Sequence, residues 1–195
     1  METTLKQPGD VIQGTKKYII NVARRFFSEY SYLGVSMDDI AKKLNITKAA
    51  LYYHFTGKAE IYGKVLDGVF DDLSLIINQA VDQKTIEKKI HELIKNYLNF
   101  GCKEKNFIKA LMVKLSPAES QITQHIYKLR EQVADLIQPV IEEAFTNKIL
   151  SEKVDSRMLT SLLTSMMDGL LLEYSFLNKK INPEKVSKQI VALIF

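Results

Sequence analysis

One stretch of the chain, residues 36–58, carries basic and small side chains at spacings that suit contact with a nucleic acid. Lys48 could reach guanine edges in a DNA major groove. Ala49 and Ala50 would let a helix approach closely enough to meet a thymine methyl group. Further on, Gly57-Lys58 opens another helix, whose backbone N–H groups and lysine ammonium would form a phosphate clamp. The stretch therefore predicts a helix that reads DNA.

Three aromatic residues follow these alanines in succession, namely Tyr52, Tyr53 and His54. Successive residues of a helix point in different directions, so the three cannot share one buried face and at least one points outward. Tyrosine hydroxyls can donate hydrogen bonds to phosphates. A tyrosine pair is more often a packing feature, so a core role for these rings stays open at this point.

Two short helices joined by a tight turn must position these side chains, which is the pattern of a helix-turn-helix. Ser36 can cap the first helix, and Asp39 three residues later completes a capping box. Asn45 tolerates the left-handed conformation of a tight turn. Thr47 can cap the second helix, which the sequence predicts from Lys48 to Phe55.

Residues 19–62 resemble the DNA-binding domain of TetR-type bacterial transcriptional repressors. The run L-Y-Y-H-F-x-x-K is fairly specific, and the length of 195 residues suits that family. The family usually has glycine where Ser31 and Asn45 stand and often threonine where Val35 stands, and Gly34 could end the first helix instead. The matching residues are Ala23, Phe27, Ser36, Ile40, Ala41, Leu44, Leu51, Tyr52, Tyr53, His54, Phe55, Lys58 and Ile61.

The resemblance implies which residues touch DNA. Proteins of this type bind as two-fold dimers to palindromic operators, with each recognition helix in a successive major groove. Packing of His54 inside the protein is the alternative to a phosphate contact. The implied base contacts come from Lys48, Ala49, Ala50 and Tyr53. The implied phosphate contacts come from Ser36, Met37 through its backbone, Thr47, Tyr52, His54 and Lys58.

The remaining periodic segments also predict helices, so we expect an all-α fold. The expected order is a flexible arm over residues 1–14, a helix-turn-helix DNA-binding domain over 15–62, and a helical ligand-binding and dimerisation domain over 63–195. A connecting helix over about 58–80 joins the two domains. Thr15 is the expected first N-cap, and Pro139 should kink or end the long helix that contains it.

The C-terminal helices contain candidates for a ligand pocket and a dimer face. The resemblance implies an inducer pocket inside the bundle and a dimer interface from its last two long helices. A helix that is apolar almost all round, as over residues 159–177, is either fully buried or shared with a partner. The candidate interface consists of Met158, Leu162, Ser165, Met166, Gly169, Leu170, Val186 and Ile190. The candidate pocket, for which plain core is the alternative, consists of Tyr97, Phe100, Phe107, Leu111, Met112, Tyr127, Met167 and Tyr174.

Other function classes find little support. The single cysteine, Cys102, excludes an internal disulfide framework and a cysteine-based zinc cluster. His54, His91 and His125 lack metal-ligand spacings, and no catalytic pair has a recognisable spacing. We therefore expect no metal, no cofactor and no enzymatic activity. A helical interaction protein without DNA binding and, more remotely, a helical-bundle enzyme are the alternatives.

Charge and hydropathy agree with a DNA-binding protein of the cytoplasm. The net charge is +4, and residues 1–63 hold 9 Lys and Arg against 6 Asp and Glu, a net +3. The N-terminus lacks the apolar region of a signal peptide, and charged residues interrupt the most apolar stretch. The expected partners are double-stranded operator DNA, a small-molecule inducer and a second copy of the chain, with no membrane.

Overall fold

The computed structural model describes residues 8–111, 117–150 and 155–195, with the side chains of residues 8–13, 110, 111 and 118 left aside. In these ranges every regular element is a helix, and no strand occurs. The predicted all-α fold with an N-terminal helix-turn-helix is therefore confirmed.

The N-terminal part consists of three helices followed by a long connecting helix. Its first helix begins well before Thr15, so the predicted cap at that residue is wrong. The helix begins at Pro8 instead. Proline suits the first turn of a helix, because its φ is preset and its missing N–H is not needed there. The four helices are α1 (Pro8–Tyr30), α2 (Met37–Leu44), α3 (Lys48–His54) and α4 (Lys58–Val81).

The C-terminal part is a bundle of longer helices. Its longest helix runs through Pro139 without ending, and a 3-10 turn over Pro117–Glu119 precedes it. The last helix begins as predicted, with the side chain of Asn182 accepting a hydrogen bond from the Lys185 N–H at 3.0 Å. The described helices are α5 (Ile86–Lys103), α6 (Lys105–Leu111), α7 (Ser120–Thr146), α8 (Ser156–Leu177) and α9 (Pro183–Ile194).

Two apolar clusters form the core. The first holds the N-terminal helices together around Phe27 and Tyr62, whose ring centroids lie 4.8 Å apart. It also includes Phe107 of α6 and Ile122 of α7, so the bundle contributes to the core of the N-terminal helices. The second cluster lies inside the bundle, around residues such as Ile94 and Met167. The domain boundaries at 15, 62 and 63 stay a prediction.

The turn between α1 and α2 differs from the expectation. Ser31 takes the left-handed conformation with φ +60°, whereas none of the described glycines does so. Gly34 is needed for close packing instead, since a Cβ atom there would lie 2.2 Å from the carbonyl oxygen of Tyr30. The turn thus keeps its left-handed residue at the position where the family has glycine.

Candidate nucleic-acid interface and ligand cavity

Hydrogen bonds at both ends fix helix α2. The Oγ of Ser36 accepts from the Asp39 N–H at 3.1 Å, and the Ser36 N–H donates to the Asp39 carboxylate at 2.9 Å. These bonds hold the pKa of Asp39 below its usual range. Asn45 ends the helix in the left-handed conformation, with φ +54°. The predicted capping box and turn are confirmed.

Helix α3 buries one side chain and exposes most of the others. Thr47 caps it, with its Oγ1 accepting from the Ala50 N–H at 3.1 Å. Within this fully described helix, Leu51 alone is buried, and it lies in the N-terminal core. The exposed residues, which we call the recognition face, are Lys48, Ala49, Ala50, Tyr52 and Tyr53, the last with 74% of its surface accessible.

Lys48 on this face forms an ion pair with a residue of α2. Its Nζ lies 3.0 Å from the carboxylate of Asp38, and this contact raises the pKa of Lys48. Both side chains are more than half exposed, so the pair is worth little in water. Lys48 can therefore leave Asp38 for another anion or for a hydrogen-bond acceptor.

Lys58 and His54 are less available than the recognition face. The Lys58 Nζ donates to the carbonyl oxygen of Tyr32 at 2.9 Å and lies 4.1 Å from the centroid of that ring. Partial burial lowers the pKa of Lys58. The ring of His54 is half-buried against Tyr53, and its Nδ1 is buried with no hydrogen-bond partner among the described residues.

The remaining predicted phosphate contacts lie at the two helix starts. Ser36 and Thr47 are exposed but already act as caps through their hydroxyls. The Met37 side chain is buried, which leaves its backbone as the group at the surface. The N-terminus of α2 therefore presents backbone N–H groups, the arrangement that binds phosphates at helix ends.

A mostly apolar cavity of about 140 Å³ lies inside the bundle. Three of the predicted pocket residues line it, namely Tyr97, Phe100 and Phe107. Tyr127 is 64% exposed instead, and Met167 is packed in the core. The other lining residues are Leu66, Val69, Phe70, Leu73, Gly101, Ile108, Ile126, Leu129, Arg130, Val133, Asp168 and Leu171.

Of the three remaining predicted pocket residues, only the side chain of Tyr174 is described, and it does not line the cavity. The Tyr174 ring lies under the ammonium of Lys105, with 5.1 Å between the Lys105 Nζ and the ring centroid. The side chain of Leu111 and the whole of Met112 lie outside the described residues.

The cavity also has a polar group that sequence analysis missed. The Tyr97 hydroxyl donates to the carboxylate of Asp168 at 2.6 Å, and Arg130 forms an ion pair with the same carboxylate. Burial raises the pKa of Tyr97 well above its ordinary value, so this phenol stays protonated. The available signal is Asp168 itself, a charged residue inside the otherwise apolar α8.

Helices α8 and α9 each expose apolar residues, and we call these exposed side chains together the C-terminal face. Of the predicted interface residues, Ile190 is only 5% exposed and packs in the core of its own chain. Leu193, one turn further along α9, is 79% exposed and is not among the predicted interface residues. Leu170 and Val186 are partly buried, whereas Ser165 and Gly169 are exposed. The C-terminal face comprises Met158, Leu162, Met166 and Leu193.

The described ranges offer neither a metal-binding cluster nor a membrane-spanning helix. No group of three or more His, Cys, Asp and Glu side chains there could hold a metal ion. None of the helices described is both long and apolar enough to cross a membrane. Cys102 is half-buried, and this burial raises the pKa of its thiol and thereby disfavours the reactive thiolate.

Comparison with known proteins agrees with this geometry. Residues 19–65 match the family described as bacterial regulatory proteins, tetR family. The chain is 33% identical over 170 residues to IcaR of Staphylococcus aureus (strain Newman), the HTH-type negative transcriptional regulator of the biofilm operon icaADBC. That match covers 84% of this chain and 86% of IcaR.

Solved structures share the fold over nearly the whole chain. The fatty acid degradation regulator FadR from Bacillus halodurans superposes with a TM-score of 0.79 at 15% identity, over 97% of this chain and 96% of that one. FadR from Bacillus subtilis, solved with stearoyl-CoA, superposes with a TM-score of 0.77 at 15% identity, over 91% and 96%. At these identities the likeness concerns the fold.

Proposed function

The chain belongs to the TetR family of bacterial regulatory proteins, and on that premise we propose that it represses transcription from a palindromic operator until a small, mostly apolar ligand releases it. The observation that carries the proposal is the one-sided exposure of α3. A short, capped helix that buries Leu51 and presents Lys48, Tyr52 and Tyr53 to solvent suits insertion into a major groove.

On DNA, the recognition face would divide between base and phosphate contacts. Lys48 would exchange its weak pairing with Asp38 for guanine edges, and Ala49, Ala50 and Tyr53 would contact bases beside it. Tyr52 would donate to a phosphate. Phosphates would also meet the backbone at the start of α2, together with Ser36, Met37, Thr47, His54 and Lys58. Among these, Lys58 contributes least, because Tyr32 already holds its ammonium.

A palindromic operator needs two copies of the recognition helix in two-fold arrangement. The C-terminal face supplies the interface in this proposal. Met158, Leu162, Met166 and Leu193 place large apolar side chains in water in the single chain. Pairing this face with its copy would bury them, and Gly169 would allow the two α8 helices to approach closely.

Ligand release would act through α4. This helix begins at Lys58, shortly after α3 ends, and its residues Leu66, Val69, Phe70 and Leu73 line the bundle cavity. A ligand that fits only a shifted α4 would change the separation of the two recognition helices. It must bind that form more tightly than the DNA-bound form, or it shifts nothing. A repressor of this kind works in the cytoplasm, where its operator lies.

The relatives support repression as the direction of control, since IcaR is a negative regulator of its operon. The test is a gel shift with the DNA upstream of the chain's own coding region. A specific, competitor-resistant complex is expected with the wild-type protein. The absence of such a complex, with the protein folded and dimeric, would favour the helical interaction protein instead.

A further inference from the structure

We propose that the bundle cavity takes a small amphipathic cation, whose ammonium group replaces Arg130 on the carboxylate of Asp168. This inference rests on the proposed function, because it names the chemistry of the ligand that the proposed function leaves open.

The apolar part of the cavity sets the size of the ligand. Among the described residues that line it, Arg130 and Asp168 alone carry a charge, and most of the others are aliphatic or phenylalanine. Its volume of about 140 Å³ is close to the ~150 Å³ of a dry apolar cavity that holds one benzene molecule. The body of the ligand is therefore one ring or a short alkyl chain.

Asp168 is the fixed charge of the site. Its side chain is 20% exposed, and the hydroxyl of Tyr97, itself inside the cavity wall, donates to it at 2.6 Å. The hydroxyl of this tyrosine holds the carboxylate in place from the inner side. A negative charge in such a place needs a positive partner, since an unpaired buried charge is costly.

Arg130 is the exchangeable charge. Its side chain is 51% exposed, so it can turn into solvent and stay hydrated when it leaves Asp168. A ligand with an ammonium group would take over the carboxylate and keep the site neutral. An anionic ligand would draw Arg130 away from Asp168 and leave that carboxylate without a countercharge, next to its own negative group. Because Arg130 can move into solvent and Asp168 cannot, the cavity favours a cationic ligand over an anionic one.

The test uses the full-length protein without DNA and three probes of one shape, namely benzylamine, benzyl alcohol and benzoate. Isothermal titration calorimetry would measure their dissociation constants at neutral pH. Benzylamine, which is charged there, is expected to bind at least about tenfold more tightly than benzoate, because its ammonium can form a charge-assisted hydrogen bond with Asp168.

Variants separate the two charges. Asp168→Asn keeps an acceptor for Tyr97 and should weaken benzylamine binding about tenfold or more while leaving benzyl alcohol nearly unchanged. Arg130→Gln removes the competitor and should strengthen benzylamine binding. Arg25→Gln changes an exposed arginine of α1 outside the cavity and serves as the matched control, with no effect expected.

Equal or tighter binding of benzoate would overturn the proposal, and so would weaker benzylamine binding to Arg130→Gln or the failure of all three probes to bind. Circular dichroism of each variant would show that it is folded. Because the titrations contain no DNA, their result is independent of the gel shift. A missing operator complex would overturn the proposed function and leave the ligand chemistry standing on its own measurement.

Discussion

Two regions of the molecule expose large side chains, and they differ in the atoms that those side chains present. The recognition face of α3 carries hydroxyls and an ammonium on Tyr52, Tyr53 and Lys48. The C-terminal face carries Leu162 and its apolar neighbours. The recognition face can replace its hydrogen bonds to water with hydrogen bonds to phosphates and base edges. The C-terminal face gains free energy only when its apolar surface is buried. In the proposed function both faces are interfaces, and their polar atoms distinguish the face for DNA from the face for a second copy.

The largest effect is expected from Leu162→Asp on the C-terminal face. Two-fold symmetry would bring two charges into an apolar interface, and a buried unpaired charge is costly. Sedimentation velocity should show a monomer, and DNA affinity should fall about a hundredfold or more because only one recognition helix remains per particle.

Leu75→Asp is the matched control for that change. Leu75 is also an exposed leucine, but it lies on α4, which does not pack extensively against α8 or α9. This variant should remain a dimer. A Leu162→Asp protein that is still dimeric would place the interface elsewhere.

The next largest effect is expected from Tyr53→Ala on the recognition face. Loss of a direct base contact costs about 1–3 kcal/mol, so DNA affinity should fall about tenfold to a hundredfold. Fluorescence anisotropy with operator DNA would measure it. Tyr127→Ala, which removes an exposed tyrosine of α7, should bind as the wild type does. Equal losses in the two variants would mean that Tyr53 makes no specific contact.

Replacing Lys48 should mainly weaken DNA binding, whereas replacing Lys58 should mainly lower the stability of the fold. Lys58→Gln removes a part-buried hydrogen bond and a cation–π contact with Tyr32, so the free energy of unfolding should fall by about 1 kcal/mol. Lys48→Gln removes only a surface ion pair and should leave the free energy of unfolding nearly unchanged.

Urea denaturation would measure both stabilities, and anisotropy the two affinities. Lys48→Gln should lose the more DNA affinity of the two. A larger loss of DNA affinity in Lys58→Gln would show that Lys58 is the more important DNA contact. A larger loss of stability in Lys48→Gln would contradict the structural role of the Lys58 contact with Tyr32.

The smallest effect is expected from Asp38→Asn. This change removes the partner of Lys48 and one negative charge beside the DNA, so affinity should rise by a few fold at most, since an exposed ion pair is weak. The gain should shrink as salt increases, since salt screens exposed charges. A drop in affinity would instead assign Asp38 a role in DNA contact or in holding α2.

The sequence predictions are accurate where a feature depends on interactions between residues close in the chain. Ser36, Asn45 and Thr47 act on backbone groups a few residues away, so local rules were enough to place α2, the turn and α3. The start of α1 at Pro8 differs from the prediction, because Thr15 is a good N-cap residue and Gly9 and Gly14 indicate a loop. Proline is nevertheless well suited to the first turn of a helix.

Features that depend on distant residues could not be predicted. Asp168 meets Arg130 across 38 positions and Tyr97 across 71 positions, and no local pattern links them. Ile190 and Leu193 are both apolar residues of α9, and only the packing of the bundle decides which of them is buried. The sequence therefore indicated a cavity and an apolar face without assigning every residue to its place.

The most direct measurement of the central claim is the ratio of affinities for the upstream DNA and for a scrambled duplex of equal length, at one fixed salt concentration. The account predicts a ratio of about a thousand or more for the wild-type protein, and a much smaller one for the Lys48→Ala, Tyr53→Ala double variant. A ratio near one for the wild type, or one that the double variant leaves unchanged, would contradict reading of DNA by α3.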